Sequence, residues 1–150
     1  MPLSQHINRP QSSSLLSKII EYVGIPYLLG GTTKEGTDCY GLIQLVYQDM
    51  FEVFLPEVHV DSVPTPKSMA PIFSQKSQKS PWIKIKDPLF GGVVVLTLHG
   101  LPAHCGFVID DNRMLHIQSG TSSCIECLNS NRWRSRIAGF YRHEGLSYEK

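Results

Sequence analysis

The sequence predicts a single α+β domain in which helices come first and an antiparallel sheet follows. Apolar residues recur at helical spacing early in the chain, within residues 14–23 and again within 39–50. From residue 91 onward, the pattern changes to short apolar runs separated by turn residues, which is typical of strands. Helices followed by consecutive strands indicate the α+β class.

The composition fits one globular domain. The chain has 150 residues, of which 41% are hydrophobic and 18% are charged, so it can bury a core of its own. We expect a flexible arm at residues 1–13 and one domain at residues 14–150. A net charge of +1 gives no basis for binding nucleic acid or an anionic membrane surface. No apolar run reaches the roughly 18 residues that a membrane span needs, so no membrane partner is expected.

The N-terminal residues also bear on the cellular compartment. Residues 1–10 have no cationic start followed by an apolar core, so they do not predict a secretory signal peptide. We therefore expect synthesis in a reducing cytoplasm, where thiols stay free. The cysteines concerned are Cys39, Cys105, Cys124 and Cys127.

Two helices are predicted before the sheet. The first covers residues 14–23 and ends at Gly24, with Pro26 just beyond it. The second runs from Cys39 to about Met50. Residues 51–81 are rich in proline, so an irregular connection is expected there, with one short helix at residues 68–73.

Five strands are predicted, at residues 82–85, 93–98, 104–109, 113–118 and 137–142. The second of these is almost continuously apolar, so we expect both of its faces to be covered. Residues 110–112, with the sequence Asp-Asp-Asn, have strong turn chemistry. The third and fourth strands should therefore form a hairpin. Residues 119–123 are read as a loop.

Cys39 lies where a helix N-terminus can activate a thiol. Asp38 before it is a good N-cap, because its carboxylate can accept from the unpaired N–H groups of the first turn. The helix dipole and those N–H groups favour the thiolate over the thiol. Cys39 is therefore a candidate nucleophile. The alternative interpretation is a small buried apolar residue at a helix start.

Two histidines of the predicted hairpin can supply a base. With a three-residue loop at 110–112, Gly106 pairs with His116, and His104 lies one diagonal step from His116 on the same face. We predict that His104 takes the proton of Cys39 and that His116 hydrogen-bonds the other ring nitrogen of His104. A loop of two or four residues would place the two rings on opposite faces and exclude this pairing. By the same alternation, Cys105 should face the core.

These stretches resemble the NlpC-type cysteine peptidases. The resemblance rests on Gly-Ile-Pro-Tyr-Leu-Leu-Gly-Gly at 24–31, Asp-Cys-Tyr-Gly-Leu at 38–42, His-Cys-Gly-Phe-Val-Ile at 104–109 and Met-Leu-His at 114–116. It implies a papain-like fold, with the cysteine helix packed on a central antiparallel sheet. It also implies cleavage of peptidoglycan stem peptides, commonly between D-glutamate and the diamino acid. No cofactor and no metal are expected.

The resemblance assigns roles to residues of this chain. It makes Cys39 the nucleophile, His104 the base and His116 the third polar residue of a Cys-His-His triad. Tyr27 would line the site beside the cysteine, and Asp38 would help to recognise the amino end of the peptide.

Tyr40 is the third residue expected to bind substrate. It stands where the family usually has a serine, and an aromatic residue at this position resembles a subgroup found among phage tail proteins. That subgroup implies phage tail proteins as partners. It also implies a product made in the cytoplasm, carried in the virion and delivered to the host cell wall.

Two other functions fit the sequence. A phage tail assembly module could keep the fold and cut nothing, although Cys39, His104 and His116 together favour the enzyme. Cys124 and Cys127 form a single C-x-x-C pair, which is half of a zinc site. Two loop thiols without a metal are the simpler interpretation of that pair.

Overall fold

The computed structural model describes residues 17–56 and 81–146. The arm expected at residues 1–13 and the short helix expected at 68–73 lie outside these ranges. The first predicted helix is described from residue 17 onward. Residues 17–19 are helical, a 3-10 turn follows at Ile20–Tyr22, and the chain is extended at Val23.

Helix α1 spans Cys39–Phe51 and confirms the second predicted helix. It begins at the N-cap Asp38, whose side chain accepts from the N–H of Gly41. It ends at Glu52, which adopts the left-handed conformation with a φ of 57°. No helix in the described part of the chain is long and apolar enough to cross a membrane.

The strands of the described residues form two antiparallel sheets. A small sheet pairs β1 with β2, and a six-stranded sheet has the order β3-β8-β4-β5-β6-β7. This arrangement, one long helix followed by a mostly antiparallel sheet, confirms the α+β class. The strands are β1 (Thr32–Thr33), β2 (Gly36–Thr37), β3 (Trp82–Ile85), β4 (Val93–Leu98), β5 (Leu101–Val108), β6 (Arg113–His116), β7 (Cys124–Cys127) and β8 (Ile137–His143).

The large sheet is buried on both faces at its centre. One face carries Val93, Val95 and Phe107 into the core that contains α1. The opposite face carries Val94 and other side chains into a second core built around Trp133. Side chains alternate along a strand, so the continuous apolar run of β4 serves both cores. The prediction that both faces of this strand are covered is confirmed.

The β5–β6 hairpin has the predicted register. Phe107 pairs with Leu115, and the N–H of Ile109 donates to the carbonyl of Arg113 at 2.8 Å. Asp110 stabilises the turn, because its carboxylate accepts from the N–H groups of Asn112 and Arg113. A three-residue loop at 110–112 therefore connects the strands, which confirms the parity on which the histidine pairing depends.

The structure differs from the prediction in three of the strands of the large sheet. β6 ends at His116 rather than at residue 118. β5 begins at Leu101 rather than at His104, because the preceding turn is confined to His99 and Gly100, both in the left-handed region. β7 was not predicted at all. It pairs with β6 over its whole length, so Cys124 and Cys127 lie on a strand, and the interpretation of them as loop thiols is wrong.

Candidate active site

The N-terminus of α1 is tied to the glycine-rich turn before it by Asp38. One oxygen of this buried carboxylate accepts from the N–H of Gly41 at 2.7 Å, and the other accepts from the N–H of Gly30 at 2.8 Å. Burial raises the pKa of Asp38, and the backbone hydrogen bonds oppose that change without cancelling it. Asp38 therefore fixes both the helix start and the loop that passes over it.

Gly41 allows this loop to lie directly against the helix. A Cβ at residue 41 would lie 2.0 Å from the carbonyl oxygen of Gly31, a distance that no real side chain tolerates. The turn itself needs Gly30, whose φ is +78°. These glycines explain why the motifs at 24–31 and 38–42 occur together. The turn of the first motif packs directly against the helix start in the second, and only glycine leaves room for that contact.

Cys39 is the first residue of α1. It is half-buried and packs at the edge of the core that contains this helix. The pKa of its thiol lies well below the usual value. The largest cause is a hydrogen bond with the side chain of Cys105. Burial opposes it, and the hydrogen bond and positive charge of His104 lower the pKa further. The pKa of Cys105 is raised in turn, so Cys39 is the thiol of this pair that ionises.

Cys105 lies on the same face of β5 as Phe107 and is fully buried in the core that contains α1. Its assignment to the core is confirmed. Its hydrogen bond with Cys39 was not predicted. Alternation along a strand shows which face a residue occupies, but it does not show what packs against that face.

The two predicted histidines are in direct contact. Nε2 of His104 lies 2.8 Å from Nδ1 of His116, and both side chains are only 2% exposed. Gly106 lies between them on the same face, and a Cβ there would lie 3.4 Å from Cβ of His116 and closer still to Met114. With Nε2 engaged, Nδ1 is the nitrogen of His104 that remains to interact with Cys39.

A line of hydrogen-bonded side chains runs from His104 through His116 to Glu126 on β7. Nε2 of His116 lies 2.7 Å from Oε1 of Glu126, and the indole N–H of Trp133 donates to the same oxygen at 2.8 Å. The Trp133 ring stacks on His104 with an interplanar angle of 25°. The sequence did not predict either contact. β7 was not recognised, so Glu126 could not be paired with the histidine strand, and Trp133 follows β7 in a segment that the sequence did not place against the sheet.

The electrostatics of this line keep His116 neutral beside an ionised carboxylate. Burial and the charge of His104 lower the pKa of His116 to about 4, although Glu126 acts in the opposite direction. Burial raises the pKa of Glu126, but hydrogen bonds from Trp133 and His116 outweigh it, so the pKa lies below the usual value. At neutral pH, His116 is therefore uncharged and Glu126 is negative.

Within residues 17–56 and 81–146, one group of side chains could hold a metal ion. The donor atoms of His116, Cys124 and Glu126 all lie within 4.8 Å of one another. A metal there would have to replace the hydrogen bond between His116 and Glu126. Cys124 and Cys127 do not converge on one ion, because residues three apart on a strand point to opposite faces. The C-x-x-C pair is therefore not assembled as half of a zinc site.

The three residues expected to bind substrate are placed differently. Tyr27 is half-buried, and its pKa is raised by burial and by the charges of Asp38 and Cys39, so it lies close to Cys39. Asp38 is buried at the same place. Tyr40 is only 5% exposed, and its hydroxyl donates to the carbonyl of Pro56 at 3.1 Å. This burial does not favour direct contact between Tyr40 and a substrate.

Two relatives show what the chain is similar to. It is 25% identical over 131 residues to the gamma-DL-glutamyl hydrolase of Bacillus subtilis strain 168, covering 87% of this chain and 29% of that protein. It is 24% identical over 124 residues to the murein DD-endopeptidase MepS/murein LD-carboxypeptidase of Escherichia coli strain K12, covering 83% of this chain and 58% of that protein. The chain thus spans between about a third and somewhat more than half of the length of these relatives.

The fold is also similar to that of a solved structure. The match is to a lipoprotein-like protein of the NLP/P60 family from Staphylococcus aureus subsp. aureus Mu50, with a TM-score of 0.59 and 23% identity. It covers 86% of this chain and 40% of that one. The model of the NlpC/P60 family matches residues 24–142, from the glycine-rich turn to the last strand. With the family pattern extending over most of its length, the chain belongs to the NlpC/P60 family.

Proposed function

We propose that this chain is a cysteine peptidase that hydrolyses peptide bonds of peptidoglycan, with Cys39, His104 and His116 as its Cys-His-His triad. The observation that carries the proposal is the 2.8 Å contact between His104 and His116, joined to a Cys39 thiol whose pKa His104 helps to lower. A nucleophilic cysteine needs a base in contact with it and a third group that orients the base. The proximity of His104 to Cys39 and of His116 to His104 supports these two roles.

The reaction follows from the placement of these groups. Nδ1 of His104 takes the thiol proton, and the thiolate of Cys39 attacks the carbonyl carbon of the scissile bond. The backbone N–H of Cys39 lies in the first helical turn, where N–H groups have no acceptor within the helix, and it can donate to the developing oxyanion. His104 then returns the proton to the leaving amine, which leaves an acyl group on the sulfur. Water, deprotonated by His104, hydrolyses this thioester and restores the thiol.

The proposed substrate is a peptidoglycan stem peptide, cleaved between D-glutamate and the diamino acid. The names of the two relatives, a gamma-DL-glutamyl hydrolase and a murein endopeptidase, support this substrate class. Asp38 supports it as well. An ionised carboxylate has about four lone-pair sites, so the two backbone hydrogen bonds of Asp38 leave acceptor capacity for a peptide ammonium group. Tyr27 would form the adjoining wall.

We also propose an association with phage tails, in which the chain is made in the cytoplasm and carried to the cell wall. The support for this proposal is Tyr40, the aromatic residue directly after the nucleophile, which resembles the phage-tail subgroup. A tail module that cuts nothing is the competing proposal. An assay of peptide cleavage distinguishes this module from the enzyme.

The deciding experiment uses a synthetic peptide in which D-glutamate is joined to the diamino acid. Wild type should release the diamino acid fragment, and Cys39→Ser should release none while keeping the thermal unfolding midpoint of wild type. Cys127→Ser is the matched control, because it changes an exposed thiol away from the histidines. A folded wild-type protein that cleaves neither this peptide nor purified peptidoglycan would support the assembly module instead.

A further inference from the structure

We propose that Glu126 is a positioning residue of this site, whose carboxylate fixes the tautomer of His116 and, through His116, that of His104. The inference rests on the proposed function and extends it by one residue. It gives a role to part of the Cys124–Cys127 segment, to which the sequence alone assigned none.

The first step concerns the hydrogen bond between Glu126 and His116. An ionised carboxylate can only accept, so the hydrogen of the 2.7 Å contact must be on Nε2 of His116. A neutral imidazole carries one N–H, and therefore Nδ1 of His116 has none. Glu126 thus selects one of the two neutral tautomers of His116.

The second step carries this selection to His104. Because Nδ1 of His116 is an acceptor, the hydrogen of the 2.8 Å contact between the rings must be on Nε2 of His104. Nδ1 of His104 is then free of hydrogen and can accept the proton of Cys39. In the opposite tautomer of His116, Nδ1–H would donate to His104. The proton of neutral His104 would then sit on Nδ1, where it blocks proton transfer from the thiol.

The third step is that Glu126 is itself held in place. Its Oε1 accepts from the indole N–H of Trp133 at 2.8 Å, and Arg132 lies 3.4 Å from Oε2. Trp133 is fully buried and stacks on His104, so the same side chain supports both ends of the line. His116 and Trp133, the two donors to Oε1 of Glu126, are both buried, and hydrogen bonds shielded from water are stronger than those in water.

The charge of Glu126 has a second effect. When His104 accepts the proton, it becomes an imidazolium next to neutral His116. The negative carboxylate on the far side of His116 stabilises that cation across the intervening ring. Removing the carboxylate should therefore weaken the thiolate–imidazolium pair as well as the choice of tautomer.

A purely structural role for Glu126 predicts a different outcome. Glu126 could serve only to hold β7 and Trp133 against the sheet. Its loss would then lower stability but leave the protonation of the histidines and of Cys39 unchanged. The test must therefore read tautomer and thiol ionisation, in addition to activity.

The test compares Glu126→Gln and Glu126→Ala with wild type. Gln keeps the volume and one acceptor oxygen but lacks the charge, while Ala removes the acceptor. On the peptide substrate, we expect kcat to fall about 10-fold for Gln and about 100-fold for Ala, with KM changed less than twofold, because a hydrogen bond to a charged group is lost. Glu144→Gln is the matched control, since it removes one negative charge from an exposed residue.

The direct readout is independent of turnover. In protein labelled with ¹⁵N-histidine, the NMR shifts of the ring nitrogens of His116 in wild type should be those of the Nε2–H tautomer. In Glu126→Ala, these shifts should move toward those of a mixture of tautomers.

The ionisation of Cys39 gives a second readout. The pH midpoint of Cys39 alkylation by iodoacetamide, followed on the Cys39 peptide by mass spectrometry, should rise by about one unit in Glu126→Ala, which corresponds to a tenfold loss of thiolate stabilisation.

Two outcomes would overturn the inference while leaving the proposed function intact. One is an Nδ1–H tautomer of His116 in active wild type. The other is a pair of Glu126 variants that keep the wild-type kcat and the wild-type Cys39 midpoint. By contrast, a wild type that cleaves nothing and shows an unshifted Cys39 midpoint contradicts the proposed function itself. If Glu126→Ala does not fold, Glu126→Gln still tests the charge through kcat and the Cys39 midpoint, and wild type alone tests the tautomer of His116.

Discussion

Nε2 of His104 lies 2.8 Å from Nδ1 of His116 across a hairpin joined by three residues, and this single contact depends on the length of that loop. Side chains alternate along a strand, so adding or removing one residue between the strands would move one ring to the opposite face. Asp110 holds the loop with two backbone hydrogen bonds. The geometry of the site is therefore set partly by a turn that does not touch it.

The first prediction concerns the ionisation of Cys39. Because the pKa of its thiol lies well below the usual value, Cys39 should react with iodoacetamide below the pH expected of an ordinary thiol, about 8.5. Replacing His104 with Ala removes a hydrogen bond and a positive charge, so the midpoint should rise toward that of an ordinary thiol. The measurement is alkylation rate against pH, resolved by peptide, with Cys127 as an exposed internal comparison. Equal midpoints in the two proteins would contradict the ion pair.

The second prediction separates Cys105 from His104 as the source of this activation. The hydrogen bond of Cys105 is the largest cause of the lowered pKa of Cys39. Cys105→Ser keeps a donor and should retain most of the shift, whereas Cys105→Ala removes the donor and should raise the alkylation midpoint of Cys39. Both variants replace a fully buried side chain by a similar or smaller one, so each serves as the packing control for the other. Indistinguishable midpoints in the two variants would show that Cys105 contributes only packing.

Local patterns predicted the scaffold and the contact between the two histidines. The helix from Cys39 has an apolar face, β4 is apolar throughout its centre, and Asp-Asp-Asn at 110–112 specifies a turn. Once the loop length is known, parity alone places His104 and His116 on one face. These features depend on residues that are close in sequence, and for that reason the sequence could show them.

The missed features depend on long-range packing. β7 has four residues and only one aliphatic side chain, Ile125, so no periodicity marks it as a strand. Without β7, nothing connects Glu126 to His116. The contact of Cys105 with Cys39 was missed for the same kind of reason. Parity predicts the face of the sheet on which Cys105 lies, but the position of the helix N-terminus on that face is decided by the packing of the core.

The third prediction is a pH dependence of stability that arises from His116. Burial lowers the pKa of His116 to about 4 in the folded protein, whereas the unfolded value is about 6.5. Between these two values the unfolded state binds more protons, so the free energy of unfolding should fall as the pH is lowered from about 6.5 to about 4, by a few kcal/mol in total. His116→Gln removes this titration and should flatten the dependence.

The measurement for this prediction is urea unfolding at a series of pH values. His99→Gln is the control, because it makes the same substitution at an exposed histidine outside the site. His143, whose pKa is also lowered by burial, contributes a slope of the same sign to all three proteins and cancels in the comparison. If the free energy of unfolding changed equally with pH in wild type and His116→Gln, the pKa of His116 would not differ between the folded and unfolded states.

The fourth prediction concerns the approach of the glycine-rich loop to the helix. A Cβ at residue 41 would lie 2.0 Å from the carbonyl oxygen of Gly31, so Gly41→Ala must displace the loop, the helix start or both. Either movement disturbs the hydrogen bonds from Gly30 and Gly41 to Asp38. We expect the free energy of unfolding to fall by about 1–3 kcal/mol, the usual cost of inserting an extra carbon into a packed site.

Activity should fall further than this change in stability explains, because Cys39 lies at the helix start that the added carbon presses against the loop. Gln48→Ala provides the comparison, since it places Ala at an exposed position of the same helix and should leave both stability and activity near wild type. Chemical denaturation and peptide hydrolysis at a pH where both variants remain folded would check the two effects separately. Wild-type turnover in Gly41→Ala would show that the loop can move away from the helix without displacing Cys39, and the close approach of Gly31 would then affect stability alone.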